Sequence, residues 1–243
     1  MNEIPYFGAR VVRGGLAALA LVAGLAACAQ GAAAQQRIGE AQSVRNQVVR
    51  VSAGRSSGLA AGGSIFRNET VRTGKASSAK LVFLDRTNLA IGPVSSVVLN
   101  QFVYSSGPSQ ALNVNLARGA FRFTTGVLDK RAYKINTPVA TIGVRGTILD
   151  ILARGGSTIV RMVDESIALV CSVAGQCLEL RGAGDSVIVT SSGIRRTTGT
   201  GRTFSFASIC GSNPGLCSQS QIADASDALS PPGDNLGDAL CGR

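Results

Sequence analysis

At 243 residues the chain has room for one large domain or two small ones, and its 24 Lys and Arg against 14 Asp and Glu give a net charge of +10. It contains no histidine, which excludes the commonest general base and metal ligand, and with them Ser/His/Asp and Cys/His catalytic sites. The cations are spread singly, with only Lys130-Arg131 and Arg195-Arg196 adjacent, and aromatics make up 5% of residues without a tryptophan, so the pattern of a nucleic-acid binder is missing. A solvated basic surface is expected, suited to anionic lipid headgroups or polysaccharide rather than to nucleic acid.

Residues 1–27 read as a signal peptide. Arg10 and Arg13 supply a positive start, Leu16 to Ala27 an apolar stretch, and small residues follow. A spanning helix needs about 20 apolar residues, so this stretch is too short for a permanent anchor, and no second run of that length follows. Two cleavage sites compete. Leu25-Ala26-Ala27-Cys28 resembles a bacterial lipobox, which would make Cys28 a lipidated first residue in the outer membrane; Ala32-Ala33-Ala34 fits ordinary removal of residues 1–34.

From 37 to 200 short apolar segments alternate with glycine, proline and serine, which predicts an all-β domain, a solenoid-like stack or a sandwich with Gly-rich turns. Strands are expected at 47–51, 79–84, 88–91, 96–99, 112–116, 120–123, 133–136, 147–152, 158–163, 167–170 and 187–189. Leu112, Val114 and Leu116 should face one way and Asn113 and Asn115 the other. Arg154-Gly155-Gly156-Ser157 predicts a hairpin turn, and Ser105 to Pro108 separates two further strands.

Export makes the cysteines candidates for disulfides. Cys171 and Cys177 enclose five residues between the apolar runs 166–170 and 178–180, as expected of a hairpin closed by a disulfide. Cys210 and Cys217 bracket a second tight loop, and Cys241 is left over, free to pair with either. A structural zinc site places its cysteines closer together, commonly with histidine, so neither a metal nor another cofactor is expected. Residues 201–243 form a weakly acidic tail around Pro231-Pro232-Gly233, with a helical turn expected at 222–229, lying against the basic domain or disordered.

The run Thr137-Pro138-Val139-Ala140-Thr141-Ile142-Gly143-Val144-Arg145-Gly146-Thr147 sets one cation and two glycines inside an apparent buried strand, the glycines marking a bend or a close backbone approach. Four further blocks precede it in order: Asn68 to Gly74, Ala79 to Asp85, Leu89 to Ser96, and Arg118 to Arg122. Together these resemble the FecR-domain family of bacterial periplasmic proteins over residues 65 to 175. The resemblance implies a twisted, solenoid-like all-β fold. Its characterised members are transmembrane regulators that relay the state of an outer-membrane siderophore receptor to a cytoplasmic sigma factor. Here a cleavable signal stands where those regulators carry an anti-sigma segment and a membrane helix, so the relay itself is not expected. Arg86 follows Asp85, and Ser166 follows Glu165, where glycine is usual in the family.

Arg145 invites an anion-binding reading, since arginine grips carboxylate or phosphate with two parallel bonds. Its strand setting instead predicts a partly buried side chain satisfied by Asp85, Asp150 or turn carbonyls. Thr137, Pro138, Gly143, Gly146, Thr147 and Asp85 are expected to serve the fold. Asp164 and Glu165 are adjacent on a strand and should point to opposite faces, which disqualifies them as a paired acid and base. The sequence therefore predicts an exported, non-enzymatic domain that binds an envelope protein or a polysaccharide. A soluble sensor subunit for a separate membrane protein and a self-associating scaffold are the alternatives.

Overall fold

In the computed structural model, which describes residues 35–103, 110–197 and 204–210, the segments rich in β-branched and aromatic residues form strands separated by tight turns. In chain order these are β1 Arg37–Arg45, β2 Val48–Ser52, β3 Arg55–Gly58, β4 Ser64–Phe66, β5 Thr70–Thr73, β6 Ser78–Phe83, β7 Asn88–Ile91, β8 Ser96–Val103 and β9 Ala111–Thr124. They continue with β10 Tyr133–Asn136, β11 Ala140–Val144, β12 Ile148–Arg154, β13 Ser157–Met162, β14 Ile167–Ser172, β15 Cys177–Arg181, β16 Ser186–Thr190 and β17 Gly193–Arg196. A short helix, α1, spans Phe206–Cys210. No helix among the described residues is long and apolar enough to cross a membrane.

The strands lie in two sheets that share β9. Sheet I runs in the order β4, β1, β6, β7, the second half of β9, β12, β13, β16, β17. Sheet II runs β3, β2, β5, β8, the first half of β9, β10, β11, β14, β15. From β10 onward the chain lays down one hairpin in sheet II, one in sheet I, and so on, which is the rung-by-rung logic of a solenoid. Both inner faces nevertheless close on a single apolar core, as in a sandwich. The sheets stay open at β3 and β4 and at β15 and β17, so no barrel forms.

Alternation sets which side chains enter that core. Leu112, Val114 and Leu116 of β9 are buried while Asn113 and Asn115 are turned outward and only half-buried. Phe121 and Phe123 repeat the pattern in the other sheet and are fully buried. Each such aromatic or aliphatic side chain contributes about 1.5–3 kcal/mol relative to leaving it in water.

The sequence predicts two strands at 112–116 and 120–123, whereas the structure fuses them into β9. The physical reason is Gly119, whose φ of +112° lets the strand bend and whose missing side chain makes room for Ser95. A Cβ there would stand 2.0 Å from Ser95 Oγ, which instead accepts the backbone N–H of Ala120 at 3.2 Å. The strand thus passes from sheet II to sheet I without losing its ladder. β1, β3, β4, β5 and β17 add to the expected strands, and the Arg154–Ser157 hairpin forms with Gly155 and Gly156 both at positive φ. Tyr104 to Pro108, Cys28 and the 222–229 segment lie outside the described residues.

Candidate functional site

The run from Thr137 to Thr147 turns out to join the sheets. Val139, Ile142 and Val144 point into the core, and β11 pairs with β10 and β14. Thr137 Oγ1 accepts the backbone N–H of Ala140 at 3.0 Å and the hydroxyl of Thr158 at 2.8 Å, tying a turn of sheet II to β13 of sheet I. Pro138 is exposed beside it. At the other end Thr147 N–H donates to Thr125 Oγ1 at 3.0 Å, and Thr147 Oγ1 donates to Asp164 at 2.7 Å. Gly146 takes φ +72° in the turn; Gly143 lies within β11, where a Cβ would meet Leu169 O at an ordinary contact distance of 4.0 Å.

Arg145 corrects the expectation. It is exposed, and no ion pair joins it to any described carboxylate, because β11 ends at Val144 and the chain is already turning outward. The two acids expected to hold it are occupied elsewhere. Asp85, fully buried, accepts the N–H and hydroxyl of Thr87 at 3.1 and 2.6 Å and the phenol of Tyr133 at 3.0 Å. Burial pushes the Tyr133 phenol above its usual value, and the charge of Asp85 acts in the same direction, so Tyr133 stays a donor. Its oxygen in turn accepts Leu128 N–H at 2.9 Å. Gly126 packs over the same turn, where a Cβ would meet Asp85 O at 2.1 Å. Asp85 is therefore the knot that fastens the β6–β7 turn, the loop after β9 and the start of β10.

Asp150 is the other fully buried aspartate among the described residues, and it lies on the outer face of sheet I. Arg122 reaches it with two bonds, Nε at 2.7 Å and Nη2 at 3.0 Å, and Arg161 approaches to 3.9 Å. Phe206 N–H donates to it at 2.9 Å. A carboxylate so fully engaged is not poised for acid–base work. No group of three potential metal-ligating side chains occurs among the described residues. Cys171 and Cys177 face each other across β14 and β15 and are bridged, with their Cα atoms 4.0 Å apart. Cys210 ends α1, while Cys217 and Cys241 lie outside the described residues.

What remains exposed and organised is the outer face of sheet II. A lateral row crosses it from Cys171 through Thr141 and Asn136 to Asn115, each opposite the next in the ladder. Asn136 Nδ2 donates to Asn113 at 2.7 Å and to Asn115 at 3.0 Å, and Asn136 Oδ1 accepts the Thr141 hydroxyl at 3.2 Å. The central amide holds its neighbours in place. A cavity of about 440 Å³ opens beside it, lined by Asn115, Leu116, Ala117, Asn136, Thr137 and Pro138. The sequence showed the alternation of Asn113 and Asn115, but their juxtaposition with Asn136 depends on the parallel pairing of β9 with β10.

Residues 69–167 match the family model described as FecR protein. Over that stretch the chain is similar to a FecR domain. The FecR match begins at Glu69, whose buried carboxylate accepts Phe66 N–H at 3.0 Å, and ends as β14 begins. Two crystal structures of a candidate anti-sigma factor from Parabacteroides distasonis are similar to the chain, at TM-scores of 0.43 and 0.42 and 14% identity. The similarity covers 53% of this chain and 59% of that one. No curated protein matches the chain. Arg86, at the FecR position where glycine is usual, adopts φ +66°, whereas Ser166 stays out of the left-handed region.

Proposed function

We propose that the chain is an exported, non-enzymatic FecR-domain protein that acts by binding a protein or polysaccharide at the cell envelope. The observation that carries this reading is the pre-set amide row Asn113, Asn115 and Asn136 beside an open cavity, on a face that no described segment covers. Amides held by one another retain donors for a ligand while losing little freedom on binding it. The engagement of both fully buried aspartates within the fold argues in the same direction, against chemistry at either.

Periplasmic crosslinking followed by mass spectrometry, with a parallel retention assay on envelope polysaccharide, tests the proposal. A specific partner is expected, held at least tenfold less well by Asn136→Leu. Recovery of none in either arm overturns it. Recovery of a membrane protein would make the chain a sensor subunit, and concentration-dependent dimers on sizing would make it a scaffold. Attachment through Cys28 is part of the same proposal; a diacylglycerol mass increment supports it, and a mature N-terminus at Gln35 defeats it.

A further inference from the structure

The outer face of sheet II is free of acids where the amide row crosses it. The five adjacent strands β5, β8, β9, β10 and β11 contain no Asp or Glu at any position. They do present three exposed cations. Arg72 and Arg118 stand opposite Ser96, one from each side, and Lys134 stands between Asn113 and Gly143. No hydrogen bond or ion pair joins any of these three side chains to another described residue. Successive outward residues on a strand are about 7 Å apart, so the arginines lie one step to one side of the amide row and the lysine one step to the other. Asn113 and Asn115 give their amide oxygens to Asn136, and no described residue claims the N–H bonds of their own Nδ2 groups. Guanidinium, ammonium and amide groups thus form a strip of donors, and the cavity opens within it where β10 leaves β9 and Ala117 precedes Arg118.

We propose that this strip binds an acidic polysaccharide, with carboxylates at Arg118 and Lys134 and with hydroxyl and ether oxygens at the Nδ2 groups of Asn113 and Asn115. The inference rests on the amide-row reading above and names the ligand for it. Donors with few acceptors among them select a ligand rich in acceptor oxygens, and unopposed positive charge selects an anionic one. A peptide fits less well, because each of the five strands has a ladder neighbour on both sides and leaves no backbone edge for an added strand. Every aromatic residue of these strands, Phe102, Phe121, Phe123 and Tyr133, is buried. They offer no ring on which a base could stack or that could enter a lipid surface.

Affinity electrophoresis of the full chain through gels holding polygalacturonate, alginate or hyaluronate tests this, with the carboxyl-reduced form of each as a neutral control. Retardation by at least one acidic polymer is expected, at least tenfold stronger than by its reduced form and falling as salt rises. Lys134→Gln and Arg118→Gln should each weaken it at least threefold. Arg195→Gln, which removes the same charge from an exposed site on β17, should change it less than twofold. Gly143 has room for a side chain and lies outside the left-handed region, so Gly143→Glu sets a carboxylate across from Lys134. That variant should bind at least tenfold more weakly, and Gly143→Gln less than threefold more weakly; should Gly143→Glu fail to fold, the exposed Lys134→Gln carries the test. Retardation by none of the acidic polymers overturns the inference. So does an equal loss with Arg195→Gln, or competition by poly-glutamate or phosphatidylglycerol vesicles as effective as that of free polymer at equal charge. Equal retardation by the reduced polymers, abolished by Asn136→Leu, also overturns it but leaves the amide row standing as a binding site.

Discussion

Asp85, Arg86 and Tyr133 show how single residues set the geometry of a turn. Arg86 holds φ +66°, a conformation that disfavours a side chain by about 1–2 kcal/mol, while glycine would give back part of that gain by its greater freedom when unfolded. Arg86→Gly should therefore stabilise the domain by about 0.5–1 kcal/mol, seen as a higher urea midpoint with an unchanged slope. Tyr133→Phe should act in the opposite sense. It removes the donor to Asp85 and leaves Leu128 N–H buried without its acceptor, a loss of about 1–3 kcal/mol at neutral pH. The phenol of the folded state titrates above the ordinary value of 10.0, so its contribution is complete below that pH and is lost as pH rises through the folded value. Urea unfolding at pH 7 and pH 11 should show the gap between wild type and variant narrowing at the higher pH.

Strands and hairpins were legible where several large apolar residues mark the buried face, and missed in β1, β4 and β5, whose buried rows are short or built on small residues. Asn88–Ile91 and Tyr133–Asn136 form as expected because an inward row of Leu, Ile or Tyr alternates with Asn88 and Ala90 in the one and Lys134 and Asn136 in the other, and slipping the register by one would expose that row. β3, Arg-Ser-Ser-Gly, was not legible: all four residues are exposed, so no apolar period marks an edge strand held only by its ladder to β2. The Cys171–Cys177 bridge joins residues already opposed in the β14–β15 hairpin. Replacing both by serine should lower stability by about 2 kcal/mol, the chain-entropy value for so small a loop, with the far-ultraviolet circular dichroism of the strands retained. Arg196 ties the far edge of the fold, bonding Asp185 at 2.5 and 2.6 Å and Glu179 O at 2.6 Å. Burial works against the charge of Asp185, but Arg196 and the backbone N–H of Arg181 hold its carboxyl below the ordinary range. One of the two adjacent basic pairs in the sequence, Arg195-Arg196, thus has a member committed within the fold rather than offered to an anion.

At the scale of the whole molecule, composition and pattern determined the class: alternating apolar residues and closely spaced turns require many short strands around one core, and the ordered motif blocks pointed to a FecR domain. These properties are local, decided by side chains within a few residues of one another. Which acid meets which arginine was decided only by the tertiary structure. Asp150 and Arg122 are 28 positions apart and become neighbours because β9 bends at Gly119 into the sheet that holds β12. The parallel pairing of β9 with β10 brings Asn113 and Asn115 beside Asn136 on one outer face, while the bend carries Ala120 into an apolar row on the other that Phe204 and Phe206 cover from beyond the last strand. Sequence spacing carries the period of a strand, whereas the pairing of distant strands follows from closing two sheets over a shared core.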